Sequence, residues 1–187
     1  MSTQAPAAIR TERLLLRPLT LSDAGTVAEF VGDWDVARMT GRIRHPYSIV
    51  DADAWIASLA PDELVCAIDL DGRLVGAVGY VADEDGSAEI GYWVGKPYWG
   101  HGLATEAATA LVDHCFRVER RPRLTCCHFV DNLASARVIA KLGFERTGQC
   151  NNWCEARRTE LPAVSYERRR PRRPLLAALS GRDRQSS

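Results

Sequence analysis

Apolar and polar positions change period several times along this chain, and each change marks an element. Residues 13–19 (RLLLRPL) form a short apolar run ended by Pro18, the pattern of a strand. Residues 21–32 carry Ala24, Val27, Ala28 and Val31 at helical spacing, with Ser22 placed to cap the start. An irregular polar-aromatic stretch, 32–48, precedes a second short helix at 49–60 that Pro61 stops. Two apolar runs then flank Asp71-Gly72, a strong hairpin pair, and a second turn at 83–86 (DEDG) leads into a third strand at 87–95 (SAEIGYWVG). A helix begins at Leu103, with Leu103, Ala107, Ala110, Leu111, His114 and Cys115 on one face, and Arg121-Pro122 closes it. Residues 124–130 read as a strand. Residues 131–144 read as a helix that Asp131 or Asn132 caps and that Gly143 and Phe144 end. Two weaker strands follow near 145–149 and 163–168.

The order β-α-α-β-β-β-α-β-α-β-β mixes hairpin-linked strands with helices, so the fold class is α+β, a mixed sheet with helices packed on it. A length of 187 residues suits one domain, read here as 1–169, followed by a basic tail at 170–187 that is read as flexible apart from a short helix at 175–180. The formal net charge is zero, which excludes a global field directed at nucleic acid or membrane. No apolar run is long enough to cross a bilayer and the first residues lack a leader's apolar core, so the expected location is cytoplasmic. The six cysteines are then expected as reduced thiols. Cys127, His128, Cys150 and Cys154 lack the spacing of a zinc finger, and no metal is expected.

The candidate chemistry starts at 97–107, PYWGHGLATEA, where two glycines precede a helix. A P-loop needs a Gly-Lys-Ser/Thr ending that is absent here. A dinucleotide loop needs a third glycine, where this chain has Thr105, and a parallel β-α-β setting with an acid about 20 residues on. A third reading is a cradle for the pyrophosphate arm of coenzyme A. The backbone amides of Gly100, His101, Gly102, Leu103, Ala104 and Thr105 would line it, and the helix dipole would favour the negative charge. A tight turn without a ligand explains the loop alone equally well.

The second half of the chain separates these readings. The segment 132–144, NLASARVIAKLGF, resembles the Asn-x-x-Ser, helix, Gly-Phe signature of the GNAT superfamily of N-acetyltransferases. That family's loop pattern is Arg/Gln-x-x-Gly-x-Gly/Ala. Residues 99–104 match it except at Trp99. With TERLLLRPLTLSDA, EIGYWV and WGHGLATEA in order, residues 11–168 look like the branch that holds ribosomal-protein-alanine N-acetyltransferases.

The resemblance implies a mostly antiparallel sheet whose central strands splay, with the pantetheine arm of acetyl-CoA between EIGYWV and LTCCHFV. Backbone groups near Trp93 and Val94 would pair with that arm and polarise the thioester carbonyl, and Gly91 would ease distortion of the strand. It further implies loop contacts from Trp99, Gly100, His101, Gly102, Leu103, Ala104 and Thr105. Asn132 would bind the pantetheine amide, cap the helix, or do both. Arg137 and Lys141 would meet the adenosine phosphates or remain surface charge.

The acceptor nitrogen must be neutral to attack, so the reaction needs a base. Glu89, on the face of Gly91 and Trp93 by the two-residue period, is the candidate, acting through a water. Many relatives place a tyrosine acid where this chain has Ile139, so Ser135 is the candidate donor to the leaving sulfur. By resemblance 32–47 lies over the acceptor cleft, with Asp33, Asp35 and Glu84 as attractors of a cationic amine. The expected activity is acetyl transfer from acetyl-CoA to a protein N-terminal α-amine. The alternatives are a small-molecule amine as acceptor or a non-catalytic CoA-binding sensor. No membrane or nucleic-acid partner is required, and a homodimer is left open.

Overall fold

In the computed structural model, which describes residues 8–60 and 63–171, the chain runs β1 (Ile9–Arg10), β2 (Leu14–Pro18), α1 (Ala24–Val31), α2 (Trp34–Ala37), α3 (Ile49–Ala57), β3 (Glu63–Leu70), β4 (Arg73–Ala82), β5 (Ala88–Val94), α4 (Leu103–Arg117), β6 (Arg123–Phe129), α5 (Leu133–Lys141), β7 (Glu145–Cys154) and β8 (Thr159–Arg169). The eight strands form one sheet in the order β1-β2-β3-β4-β5-β6-β8-β7. Every pairing is antiparallel except β5 with β6. This is the expected mixed α+β sheet. The expected helix at 175–180 and the tail beyond Pro171 lie outside the described residues, as does Pro61.

Local chemistry accounts for the sharpest turns. Asp71 and Gly72 both take positive φ, 53° and 80°, the hairpin geometry that matches strand twist. Gly143 takes φ 72° after α5, and the Phe144 N–H reaches back to the Ile139 carbonyl at 3.5 Å, closing the helix as read from the sequence. Asn132 is its cap, accepting from the Ser135 N–H at 3.0 Å, while Asp131 pairs with Arg157 at 2.8 Å.

Three expectations about elements change. Ser22 does not cap α1: it lies in a 3-10 turn (Leu21–Asp23) whose capping box is formed by Thr20 and Asp23. On α4 the buried stripe is Leu103, Ala107, Ala108, Leu111, Val112, Cys115 and Phe116, with Ala110 and His114 only half-buried at its margin. The last two strands are 10 and 11 residues long, not short, because β7 and β8 pair as one long hairpin with a bulge at Thr147. Much of β7 is exposed, so its sequence carries almost no apolar alternation.

The period-two alternation puts helices on both sheet faces. Leu16, Ile68, Val78, Ile90 and Val94 pack with the buried stripe of α4 and with Ile139 of α5. Ala67, Leu74 and Trp93 meet α1 and α3 on the other face.

Asp23 anchors the join between sheet and α1. Arg17 on β2 gives Asp23 two hydrogen bonds, 2.8 and 2.9 Å, and gives Asp69 one of 3.0 Å. Burial pushes the Asp23 carboxyl up, but the bonds from Arg17 and Thr20 outweigh this and hold it below the usual carboxylate range. A depressed pKa means stability that is present at neutral pH and lost as pH falls through the folded-state value. We expect Asp23→Asn to cost about 3 kcal/mol at pH 7, since Arg17 keeps its charge without its main partner. Urea unfolding should show that deficit shrink as the pH falls below about 4.

Candidate active site

The two middle strands pair only at Ala88 with Leu124 and Glu89 with Thr125. Beyond that point β5 runs on to Val94 and β6 to Phe129 without a common ladder, so a wedge opens between them. Because these strands are parallel, the helices that follow them, α4 and α5, both start at the wide end. Two helix N-termini therefore bring unsatisfied N–H groups and positive dipole ends to the same mouth.

The wedge is lined by β5 backbone. Gly95 donates to the Val75 carbonyl at 2.9 Å, which fixes the phase of the antiparallel ladder with β4. Its two-residue alternation turns Trp93's backbone groups toward β4 and those of Tyr92 and Val94 toward the wedge. This corrects the expectation for Trp93: its carbonyl stands against Gly76 of β4, and its side chain belongs to the core under α1 and α3. The Val94 carbonyl is taken by the Trp99 indole, whose Nε1–H donates to it at 2.6 Å, leaving the Val94 N–H for the wedge. Gly91 eases no distortion. The β4–β5 register runs unbroken from Gly76–Val94 to Ala82–Ala88, and a Cβ on Gly91 would meet open space beside Glu89.

At the mouth, Gly100 and Gly102 have φ 81° and 78°, a conformation that disfavours any side chain. No atom would block a Cβ at Gly100, so the backbone angle and not crowding calls for glycine there. Among the described residues, no protein group accepts from the N–H groups of Gly100, His101, Gly102, Leu103, Ala104 or Thr105. The loop is held from behind by Glu106 in the first turn of α4. Its carboxylate accepts from Thr11 Oγ1 at 2.6 Å, the Arg13 N–H at 2.9 Å and Arg13 Nε at 2.7 Å. Partial burial raises the Glu106 carboxyl, but Thr11 and Arg13 outweigh that and keep it below the usual range. Arg13 also donates to the His101 carbonyl at 3.1 Å, so a cation stands beside the loop. Sequence reasoning missed both Arg13 and Glu106. An acid in the first turn of a helix reads as a dipole partner until its contacts are seen.

Glu89 lies on the α1–α3 face at the point where the strands part, its side chain 46% exposed. Arg42 approaches it at 3.7 Å, so the segment 32–48 crosses this face, and the Cys127 thiol is at 3.7 Å on the other side. Glu89 edges a cavity of about 390 Å³ that Thr125, Cys127, Cys150, Asn152 and Ser165 help to line. Burial pushes the Cys127 thiol up to about 11, which keeps it neutral there. Sequence reasoning missed this cavity, because its walls come from β6, β7 and β8 together.

Other expectations are revised by pairing. Asp35 bonds Lys96 at 2.8 Å and Arg38 at 3.0 Å, and Lys96 lies 3.8 Å from Asp33, so these acids already have cationic partners within the chain. Glu84 stays exposed in the β4–β5 turn. Asn132 caps α5 and donates to the Met39 carbonyl at 3.3 Å, which leaves its second amide N–H and one oxygen lone pair for a ligand. Arg137 and Lys141 are exposed on α5. Ser135 sits in the first turn of α5 with its hydroxyl 2.8 Å from that of Tyr92. All six cysteines are free thiols. Among the described residues no His, Cys, Asp and Glu cluster can hold a metal ion, and no helix is long and apolar enough to cross a membrane.

Comparison with known proteins adds to this geometry. The family model described as an acetyltransferase (GNAT) domain matches residues 13–145. The uncharacterized N-acetyltransferase YoaA of Bacillus subtilis strain 168 is 28% identical over 173 residues, 88% of this chain and 97% of that protein. The ribosomal-protein-uS5-alanine N-acetyltransferase of Escherichia coli K12 is 31% identical over 64 residues, 34% of this chain and 33% of that protein. Among solved structures, the microcin C7 self-immunity acetyltransferase MccE, in complex with acetyl-CoA and AMP, aligns with TM-score 0.76 over 85% of this chain and 93% of that one. At 18% identity that likeness is one of fold.

Proposed function

Since the chain belongs to the GNAT acetyltransferase family, we propose that it moves an acetyl group from acetyl-CoA to a protein N-terminal α-amine. The observation that carries this reading is the wedge between β5 and β6 with the free amides of residues 100–105 at its mouth. A row of N–H groups at a helix N-terminus, with Arg13 beside it, suits a pyrophosphate. A slot with unpaired strand backbone suits an extended amide arm, which can add to it as a strand would.

Acetyl-CoA supplies an acyl carbon activated as a thioester. The Val94 N–H, freed from the ladder, donates to the carbonyl oxygen as it gains negative charge. Glu89, across the strand junction, takes the proton of the attacking amine through a water. Ser135 donates its hydroxyl to the departing sulfur. Glu89 and Ser135 lie toward opposite faces of the sheet, so amine and sulfur reach the carbonyl carbon from opposite sides of the wedge.

The acceptor class rests on three supports. An α-amine has a reference pKa of about 8 against about 10.4 for lysine, so a single exposed carboxylate has less work to do. The concavity beside Glu89, about 390 Å³ and open on one side, has room for the end of a peptide chain leading outward. The relative with uS5-alanine in its name acts on that class.

Ser135→Ala is the direct test of the sulfur donor. We expect kcat to fall by about 10- to 100-fold while the calorimetric Kd for acetyl-CoA stays within twofold. Wild-type turnover in that variant removes Ser135 from the chemistry.

A further inference from the structure

In the sequence Tyr92 is one aromatic of the EIGYWV strand. Its place is more specific. It follows Ile90 and precedes Val94 on the face that packs against α4 and α5, three residues past the last β5–β6 pair. Its ring therefore spans the wedge from β5 to the first turn of α5. There its hydroxyl lies 2.8 Å from Ser135 Oγ and 3.4 Å from the Ser135 carbonyl.

A buried phenol has one proton and must give it to an acceptor. The hydroxyl of Ser135 is the partner within good distance, since the carbonyl contact is long. A serine hydroxyl also has one proton. If it pointed at Tyr92, none would remain for a ligand in the wedge. A phenol donates better than an alcohol and accepts worse, so the favourable arrangement runs Tyr92 O–H to Ser135 Oγ. The Ser135 proton is then released into the wedge. Burial pushes the Tyr92 phenol up, which keeps it a donor at every working pH.

We propose that Tyr92 is the positioning residue of the leaving-group site, holding Ser135 so that its only proton faces the sulfur. This rests on the reading of the wedge as the acetyl-CoA site. When the C–S bond breaks, its electron pair leaves on sulfur, which Ser135 stabilises by hydrogen bonding. The proton the sulfur finally keeps equals the one the amine gives up through Glu89 and water. Tyr92 itself stays protonated throughout.

The test is Tyr92→Phe, which removes one oxygen and keeps the ring, set in a cycle with Ser135→Ala. Two readouts are free-thiol release with an N-terminal peptide and the slow hydrolysis of acetyl-CoA by water, which breaks the same bond without an acceptor. We expect Tyr92→Phe to lower kcat about tenfold in both assays, the effect of one misdirected hydrogen bond. The Kd for acetyl-CoA should not move. In the Ser135→Ala background the same substitution should change kcat less than twofold. Wild-type kcat in Tyr92→Phe, an equal loss without Ser135, or a loss matched by weaker acetyl-CoA binding each overturns the positioning role. A wild-type protein that releases no thiol in either assay overturns the catalytic reading beneath it instead.

Discussion

Valine at both Gly100 and Gly102 is expected to weaken acetyl-CoA binding at least about a hundredfold while the fold persists. The two positions hold φ 81° and 78°, where a β-branched residue is strained by about 1–2 kcal/mol. The loop relieves that strain by rotating, and the N–H groups of 100–105 no longer converge. Losing two charge-assisted hydrogen bonds at about 1.5–3 kcal/mol each accounts for the factor. Glu106 keeps its bonds to Thr11 and to the Arg13 N–H, and a Cβ at Gly102 meets Arg13 only at ordinary contact distance, 3.7 Å, so the fold should persist with a lowered thermal midpoint. Calorimetry with acetyl-CoA reads the effect. Unchanged affinity would return the stretch to a plain turn before a helix.

The second large effect belongs to Glu89. Glutamine there keeps the shape and removes the base, and we expect kcat/KM to fall by about 10² to 10³. The loss should be greatest below the amine's own pKa of about 8, where a proton must be removed for attack. At higher pH, as the free amine becomes abundant, the deficit should shrink. A pH–rate profile parallel to that of the wild type would take Glu89 out of the mechanism. Lysine at Arg42 should leave this profile intact, because the 3.7 Å contact is loose and exposed.

What the sequence disclosed follows from the range of each interaction. The Asp71-Gly72 hairpin and the Gly143 closure of α5 depend on a few adjacent residues with positive φ, and both were readable. The glycine loop was readable for the same reason. The wedge was not, since it depends on two strands that pair at only two positions and are separated by a whole helix. Resemblance, not periodicity, supplied it. Asp33 and Asp35 read as free acids because their partner, Lys96, is about sixty positions away and on another element. The long β7–β8 hairpin was underestimated because β7 is largely exposed and its stability comes from the ladder with β8. Tyr92 shows the limit most clearly. In the sequence it is one aromatic of the EIGYWV strand, and only the fold brings the first turn of α5 to its hydroxyl.

In the proposed function the wedge and its loop carry acetyl transfer to an amine. Free-thiol release from acetyl-CoA, measured against a panel of peptides with free N-termini, the same peptides N-terminally blocked, and small amines, addresses it directly. Turnover is expected with free α-amine peptides, with strong preference over blocked ones that retain lysine and weaker activity on small amines. Tight binding of acetyl-CoA with no thiol released by any amine would contradict it and leave a binding module in place of an enzyme.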